Sequence, residues 1–235
     1  MKNRFFLLAL PLFFLFASCS YNREETINET KPLNGVTRLQ LDGVFTLSLV
    51  QSDDESIRVE GPEELIDKLV IDQKGDLLVL EMEKEIGGFN FNKGDFKITL
   101  SLKNLEELQY DGVGNVKTNG TFRVDTLRIK GNGVGNLKLD LEANQLNADF
   151  DMVGNIDLKG SATRAFFTNN GVGNLDASQF RVQDLDLISS GIGKAEVFCV
   201  GNLSLEVDGI GKVSYTGNPK IIKKEVSGIG KVEAN

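Results

Sequence analysis

A four-residue phrase of the form Gly-Val/Ile-Gly-Asn/Lys returns seven times in this 235-residue chain, and its spacing leaves few folds open. It appears as Gly112-Val113-Gly114-Asn115, then Gly133-Val134-Gly135-Asn136, then with one change as Met152-Val153-Gly154-Asn155, then Gly171-Val172-Gly173-Asn174. The last three copies are Gly191-Ile192-Gly193-Lys194, Gly209-Ile210-Gly211-Lys212 and Gly228-Ile229-Gly230-Lys231. Successive starts are 21, 19, 19, 20, 18 and 19 residues apart. A fixed period near 20 residues marks a stacked repeat, in which one unit cannot bury its own apolar face but a pile of units can.

The rest of each unit keeps the same frame. Val116, Leu137, Ile156, Leu175, Ala195, Val213 and Val232 follow the phrase directly, and Leu139, Leu158, Ala177, Val197, Tyr215 and Ala234 follow two residues later. Six residues before the next phrase stand Leu127, Leu146, Ala165, Leu185, Leu203 and Ile222; four before it stand Ile129, Ala148, Phe167, Leu187 and Leu205. Polar residues alternate with them, as in Leu137-Lys138-Leu139-Asp140, which is the period of a strand with one face in and one out. No segment here carries the 3.6-residue period of a helix. The expectation is an all-β, single-stranded β-solenoid (β-helix) of about seven 18–21-residue coils, forming a rod roughly 34 Å long at about 4.8 Å per coil. A propeller is excluded because each blade needs about 40 residues and four strands.

The glycines read as corners, since a coil must turn and glycine accepts positive φ and close backbone approach. A dinucleotide loop would require a third glycine and a following helix, whereas a strand follows here. A calcium β-roll would require a nine-residue period with a fixed aspartate. The Val/Ile residue between the glycines has two readings. Alternation back from Leu137 points Val134 outward, but a bend at the second glycine would turn the column inward, and the rarity of long exposed apolar stripes makes inward the expectation.

The fourth position forms a candidate surface column, Asn115, Asn136, Asn155, Asn174, Lys194, Lys212 and Lys231. Lysines stacked about 4.8 Å apart repel by roughly 0.9 kcal/mol per neighbour even in water, so the column must face solvent. Four stacked asparagines suit an amide ladder that holds the register, which needs no ligand. The three lysines fit either a solvated edge or a stripe for an acidic ligand.

The N-terminus reads as export machinery. Lys2 and Arg4 precede an apolar run from Phe5 to Phe16 that is too short to span a bilayer comfortably, and Ala17, Ser18 and Cys19 close it. Phe16-Ala17-Ser18-Cys19 resembles a bacterial lipobox, in which Cys19 is acylated as the lipid anchor of the mature chain. Residues 1–18 are then a signal peptide and residues 19–33 a lipidated cysteine on a flexible polar tether. With Cys19 acylated, Cys199 has no disulfide partner, and without histidine nothing activates it as a nucleophile; a small buried hydrophobe is its expected role. Losing the two basic residues of the signal leaves 24 basic against 34 acidic, a formal charge of −10, which argues against nucleic acid as a partner.

Residues 34–110 are also β-rich, with alternating Phe45–Leu49, Ile57–Val59 and Ile98–Leu102 and a buried-strand run at residues 76–81. Pro62 to Leu69 reads as one short helix and Phe89 to Gly94 as a hairpin loop. This region is expected to cap the first edge of the solenoid at residues 111–235. A strand at Val44–Val50, the stretch GPEELIDKL and the repeated DGVGNV and SGIGKV units resemble the "putative auto-transporter adhesin, head GIN domain" family from about residue 36 onward. The resemblance implies a β-solenoid in exported bacterial lipoproteins and carries over no catalytic residue.

The function classes follow from what the chain holds and lacks. Its carboxylates, such as Asp140, Asp157, Asp176, Glu196 and Glu206, are scattered outward strand residues, with no histidine, no tryptophan and no metal-ligand cluster. A polysaccharide-active enzyme is the least supported reading; no catalysis and no cofactor or metal is expected. The leading expectation is a lipid-anchored cell-envelope protein of the outer membrane, an adhesin-like or ligand-binding β-solenoid. Its partners would be the membrane through the lipid and a glycan or an envelope or host-surface protein. The alternative is a structural protein of the envelope that assembles as a homo-oligomer.

Overall fold

The computed structural model describes residues 26–82 and 96–235, so the signal, Cys19 and the hairpin loop expected at residues 89–94 lie outside the described residues. The N-terminal elements are β1 (Thr26–Pro32), β2 (Arg38–Gln51), β3 (Ser56–Pro62), the four-residue helix α1 (Glu63–Ile66), β4 (Leu69–Lys74), β5 (Leu77–Met82) and β6 (Lys97–Leu102). The repeats supply β7 (Glu107–Thr118), β8 (Phe122–Asn169), β9 (Val172–Ser189), β10 (Ile192–Cys199), β11 (Asn202–Val207), β12 (Ile210–Thr216), β13 (Lys220–Val226) and β14 (Ile229–Ala234). β8 is 48 residues long because it runs around its corners without losing its ladder.

Each phrase stacks on the one before it in parallel register. Gly112, Val113 and Asn115 pair with Gly133, Val134 and Asn136; Val153 and Asn155 pair with Val172 and Asn174; Lys194 pairs with Asn174 on one side and Lys212 on the other. Lys212 pairs in turn with Lys231. Seven copies thus delimit six complete turns of a β-solenoid. The core is the stack of inner columns: Leu127, Leu146, Ala165, Leu185 and Leu203 are buried, as are Ile129, Ala148, Phe167, Leu187 and Leu205. Sizes compensate down each column, with Ala148 one coil before Phe167 and the Phe167 ring 6.3 Å from that of Phe180. This is the close packing that apolar burial needs to stabilise a rod only one coil wide.

The solenoid frame begins one layer earlier than residue 111. β2 pairs with β7 over twelve residues, setting Asp42 on Asp111, Gly43 on Gly112 and Val44 on Val113. The return path from β2 to β7 then carries an insertion holding β3 to β6 and α1. β5 covers the first half of β2 and is backed by β4; β6 covers the second half and is backed by β3 and then β1. The first edge of the stack is therefore capped by two small sheets rather than left open.

Four expectations are corrected here. Residues 26–32 are not part of a tether but the strand β1, antiparallel to β3. Its side chains from Asn28 to Lys31 are exposed, so it is held by backbone pairing and carries no apolar period to betray it. Ile222, expected in an inner column, is 59% exposed because a register shift between Leu203 and Ser204 makes Ile221 the partner of Leu203. Ala234 is exposed and Val232 only half-buried, since among the described residues no coil lies over β14. The helix is shorter than residues 62–69: one turn, closed by the Asp67 amide donating to the Glu63 carbonyl at 2.9 Å, with Leu65 buried beneath it.

Candidate interaction face

The Val/Ile column points outward, contrary to the inward expectation. Exposure runs from 38% at Val113 through 49% at Val134 and 51% at Ile210 to 82% at Ile229. The cause lies in the glycines. Strand alternation passes through the corner unbroken, so both glycines take inward positions where no side chain fits. A Cβ on Gly133 would fall 2.1 Å from the Gly112 carbonyl oxygen, and one on Gly135 only 1.8 Å from that of Gly114. The second glycine also holds φ between 137° and 145° from Gly114 to Gly211, a range costly for any L side chain. Met152 escapes the rule at a first position because Gly131 has no side chain and leaves room for its thioether.

The result is a ridge of seven β-branched side chains, about 29 Å long at 4.8 Å per step, with glycine on both flanks except at Val153, which follows Met152. Full burial of an aliphatic side chain corresponds to roughly 60–120 Å² of apolar surface; at half exposure the seven leave about 350 Å². That is the size of the largest apolar patch on a typical soluble monomer, a patch that often has a function.

One border of the ridge is the Asn/Lys column, and it lies on the exposed edge. The amide ladder is present: Asn136 Nδ2 donates to Asn115 Oδ1 at 2.8 Å, Asn155 to Asn136 at 3.1 Å and Asn174 to Asn155 at 3.1 Å. The lysines continue the line without a ladder, and each contacts a carboxylate, Lys212 and Lys231 sharing one. Lys194 lies 2.6 Å from Glu196, Lys212 lies 2.6 Å from Glu233, and Lys231 also contacts Glu233. Hydrogen bonds from Lys212 and Lys231 hold the Glu233 carboxyl down at about 2. A stripe of free cations for an acidic ligand is therefore not what this half presents. The other border is Asp111, Asn132, Asp151, Asn170, Ser190, Asp208 and Ser227, all exposed.

Two open grooves of about 400 Å³ each lie elsewhere on the surface. One runs past Arg38, Glu107 and Arg128; the other passes Lys138, Asp157, Lys159 and Asp176. In the second, the Ser178 hydroxyl donates to Asp176 at 2.6 Å and, with the Ser178 amide, lowers that carboxyl below its ordinary range. Neither groove offers an aromatic platform. Among the described residues no group of His, Cys, Asp and Glu could hold a metal ion, and no helix is long and apolar enough to cross a membrane. Cys199 is fully buried, its thiol raised by that burial and lying 3.2 Å from the Asn202 carbonyl.

Solved structures share this fold. A putative adhesin from Bacteroides fragilis superposes with a TM-score of 0.85 at 26% identity, covering 90% of this chain and 98% of the other. A putative adhesin from Parabacteroides distasonis matches at 0.64 and 20% identity, covering 91% and 98% of the two chains. A putative lipid binding protein from the same organism matches at 0.64 and 23%, covering 88% and 96%; below 25% identity these two speak to the fold alone. No curated protein matches the chain. The family model for "putative auto-transporter adhesin, head GIN domain" matches residues 36–219, and the chain belongs to that family.

Proposed function

We propose that this protein is a non-catalytic, lipid-anchored module of the bacterial cell envelope, adhesin-like in role, whose contact surface is the Val/Ile ridge. The observation that carries the reading is the continuous outward column from Val113 to Ile229, apolar at its centre and polar on both borders, as interfaces are. Membership of the "putative auto-transporter adhesin, head GIN domain" family supports it, as does the reading of residues 1–18 as an export signal followed by a lipidated Cys19. Its partner would be a glycan or a protein of the envelope or of a host surface. The ridge lies on the rigid body of the solenoid, so little ordering entropy opposes contact.

The reading is tested by passing the mature protein over glycan and envelope-protein arrays. Retention of a ligand, the chain itself being included on the protein array, that is lost when Val153 and Ile192 are changed to Asp supports it; no retained ligand of any kind, or retention indifferent to the ridge, overturns it. Radiolabelled fatty acid should enter the wild-type chain and not Cys19→Ala. Protease shaving of intact cells reads the membrane face: an adhesin on the outer leaflet is cut, and protection instead favours a structural role inside the envelope.

A further inference from the structure

We infer that the partner of the ridge is a second copy of this chain, docked antiparallel about a two-fold axis at Val172. This deepens the reading of the ridge as the contact surface and rests on it. Val44 stacks on Val113 but is only part-exposed, so the exposed columns have seven members; they are not uniform along their length, and their two halves are complementary. The ridge is Val113, Val134, Val153 and Val172 in its first part and Ile192, Ile210 and Ile229 in its last. An antiparallel two-fold sets Val113 against Ile229, Val134 against Ile210 and Val153 against Ile192, with Val172 on itself. Each flanking layer then has one valine and one isoleucine, so the gap between the two faces stays constant from end to end. Parallel pairing would set valine on valine at one end and isoleucine on isoleucine at the other, and the faces would have to splay.

The borders obey the same symmetry. The lysine half of one copy meets the asparagine half of the other: Lys194 faces Asn155, Lys212 faces Asn136 and Lys231 faces Asn115. No lysine faces a lysine. Each ladder asparagine keeps an acceptor lone pair beyond the bond it takes from its neighbour, and each ammonium keeps donors beyond its Glu196 or Glu233 contact. On the other border Asp111 faces Ser227, Asp151 faces Ser190 and Asp208 faces Asn132, so no two carboxylates oppose. This self-complementarity, in which residue i meets j and j meets i, is what an isologous interface requires. The ridge alone gives about half of the roughly 800 Å² per partner that a stable pair buries, and the polar borders supply the rest. The two chains enter at opposite ends, so lipid-anchored copies would meet from facing surfaces.

The test is directed cross-linking of full chains purified in detergent. Copies carrying Val113→Cys and copies carrying Ile229→Cys, with different epitope tags, are mixed and treated with a short bismaleimide whose reach suits the ~10 Å separation of packed sheets. The expected result is a mixed Val113→Cys/Ile229→Cys dimer about tenfold above Val113→Cys self-dimer, and loss of both when Val153 is changed to Asp. Dominant Val113→Cys self-dimer, which reports parallel pairing, overturns the proposal. So does cross-linking no greater than that of Phe166→Cys, an exposed side chain off the ridge. If arrays show ridge-dependent retention of another ligand while cross-linking stays at that background, self-pairing fails and the contact-surface reading stands.

Discussion

Replacing Gly173 by alanine tests why every corner of this coil carries glycine. Gly173 has φ of 142°, and a Cβ there would lie 1.9 Å from the Gly154 carbonyl oxygen and 2.8 Å from its carbon. Real Cβ atoms do not come within 3.0 Å, so the two layers must part locally by more than 1 Å, beyond the range of the N–H···O bonds between them. Losing two ladder bonds costs about 2 kcal/mol, and holding alanine at that φ adds about 1–3 kcal/mol. The total is about 3–5 kcal/mol. The seventh copy supplies the control, because Gly230 is outside the left-handed region and its nearest neighbour would be Val207 Cγ1 at 3.3 Å. Gly230→Ala should stay within about 0.5 kcal/mol of wild type. Urea unfolding followed by circular dichroism reads the difference as a midpoint drop of more than about 1 M for Gly173→Ala alone. Equal midpoints for the two variants would refute the corner argument, since the two glycines occupy the same place in the repeat.

Phe167→Ala removes a buried ring that packs on Phe180 and should cost about 3–5 kcal/mol in the same assay; a loss below about 1 kcal/mol would mean the core column is not packed as described. The Glu233 carboxyl, held at about 2 by Lys212 and Lys231 against an ordinary 4.5, stabilises the last coil above pH 4.5, and that contribution fades as pH falls from 4.5 towards 2. A carboxyl-carbon NMR titration should give a midpoint near 2, and a midpoint near 4.5 would show that the lysine column is unpaired. The Cys199 thiol, buried and raised, should react with a thiol reagent only after denaturation; immediate labelling of the native protein would contradict its placement.

The inner columns were legible because alternation and the period near 20 residues are both properties of the sequence. Leu137, Leu158, Leu187 and their neighbours fall where the frame puts them. The direction of Val134 was not, because two rules opposed each other: alternation sent it outward and the rarity of apolar stripes sent it inward. What decided it was contact between layers, the carbonyl of Gly112 occupying the place of a Cβ on Gly133, which no single repeat contains. β2 hid its place in the stack because Phe45 and Thr46 stand where later copies have glycine and asparagine, and a long insertion breaks the period after it. β1 hid because an edge strand held by backbone pairing needs no apolar pattern. Of the candidate column, the amide ladder could be read from four asparagines at a fixed spacing. The pairing of Lys194 with Glu196 follows from alternation on one strand, whereas that of Lys212 with Glu233 depends on which outward residues the coil sets side by side.

The Val/Ile residues between the glycines are surface and not core, and the proposed contact surface is built from them. The double change Val153→Asp with Ile192→Asp tests both halves at once, by urea midpoint and by retention of the partner. Stability read from the urea curve should stay within about 0.5 kcal/mol of wild type, since both side chains are half-exposed or more, while retention is lost. A collapse of stability by several kcal/mol would place these side chains in the core, and unchanged retention would move the contact surface elsewhere.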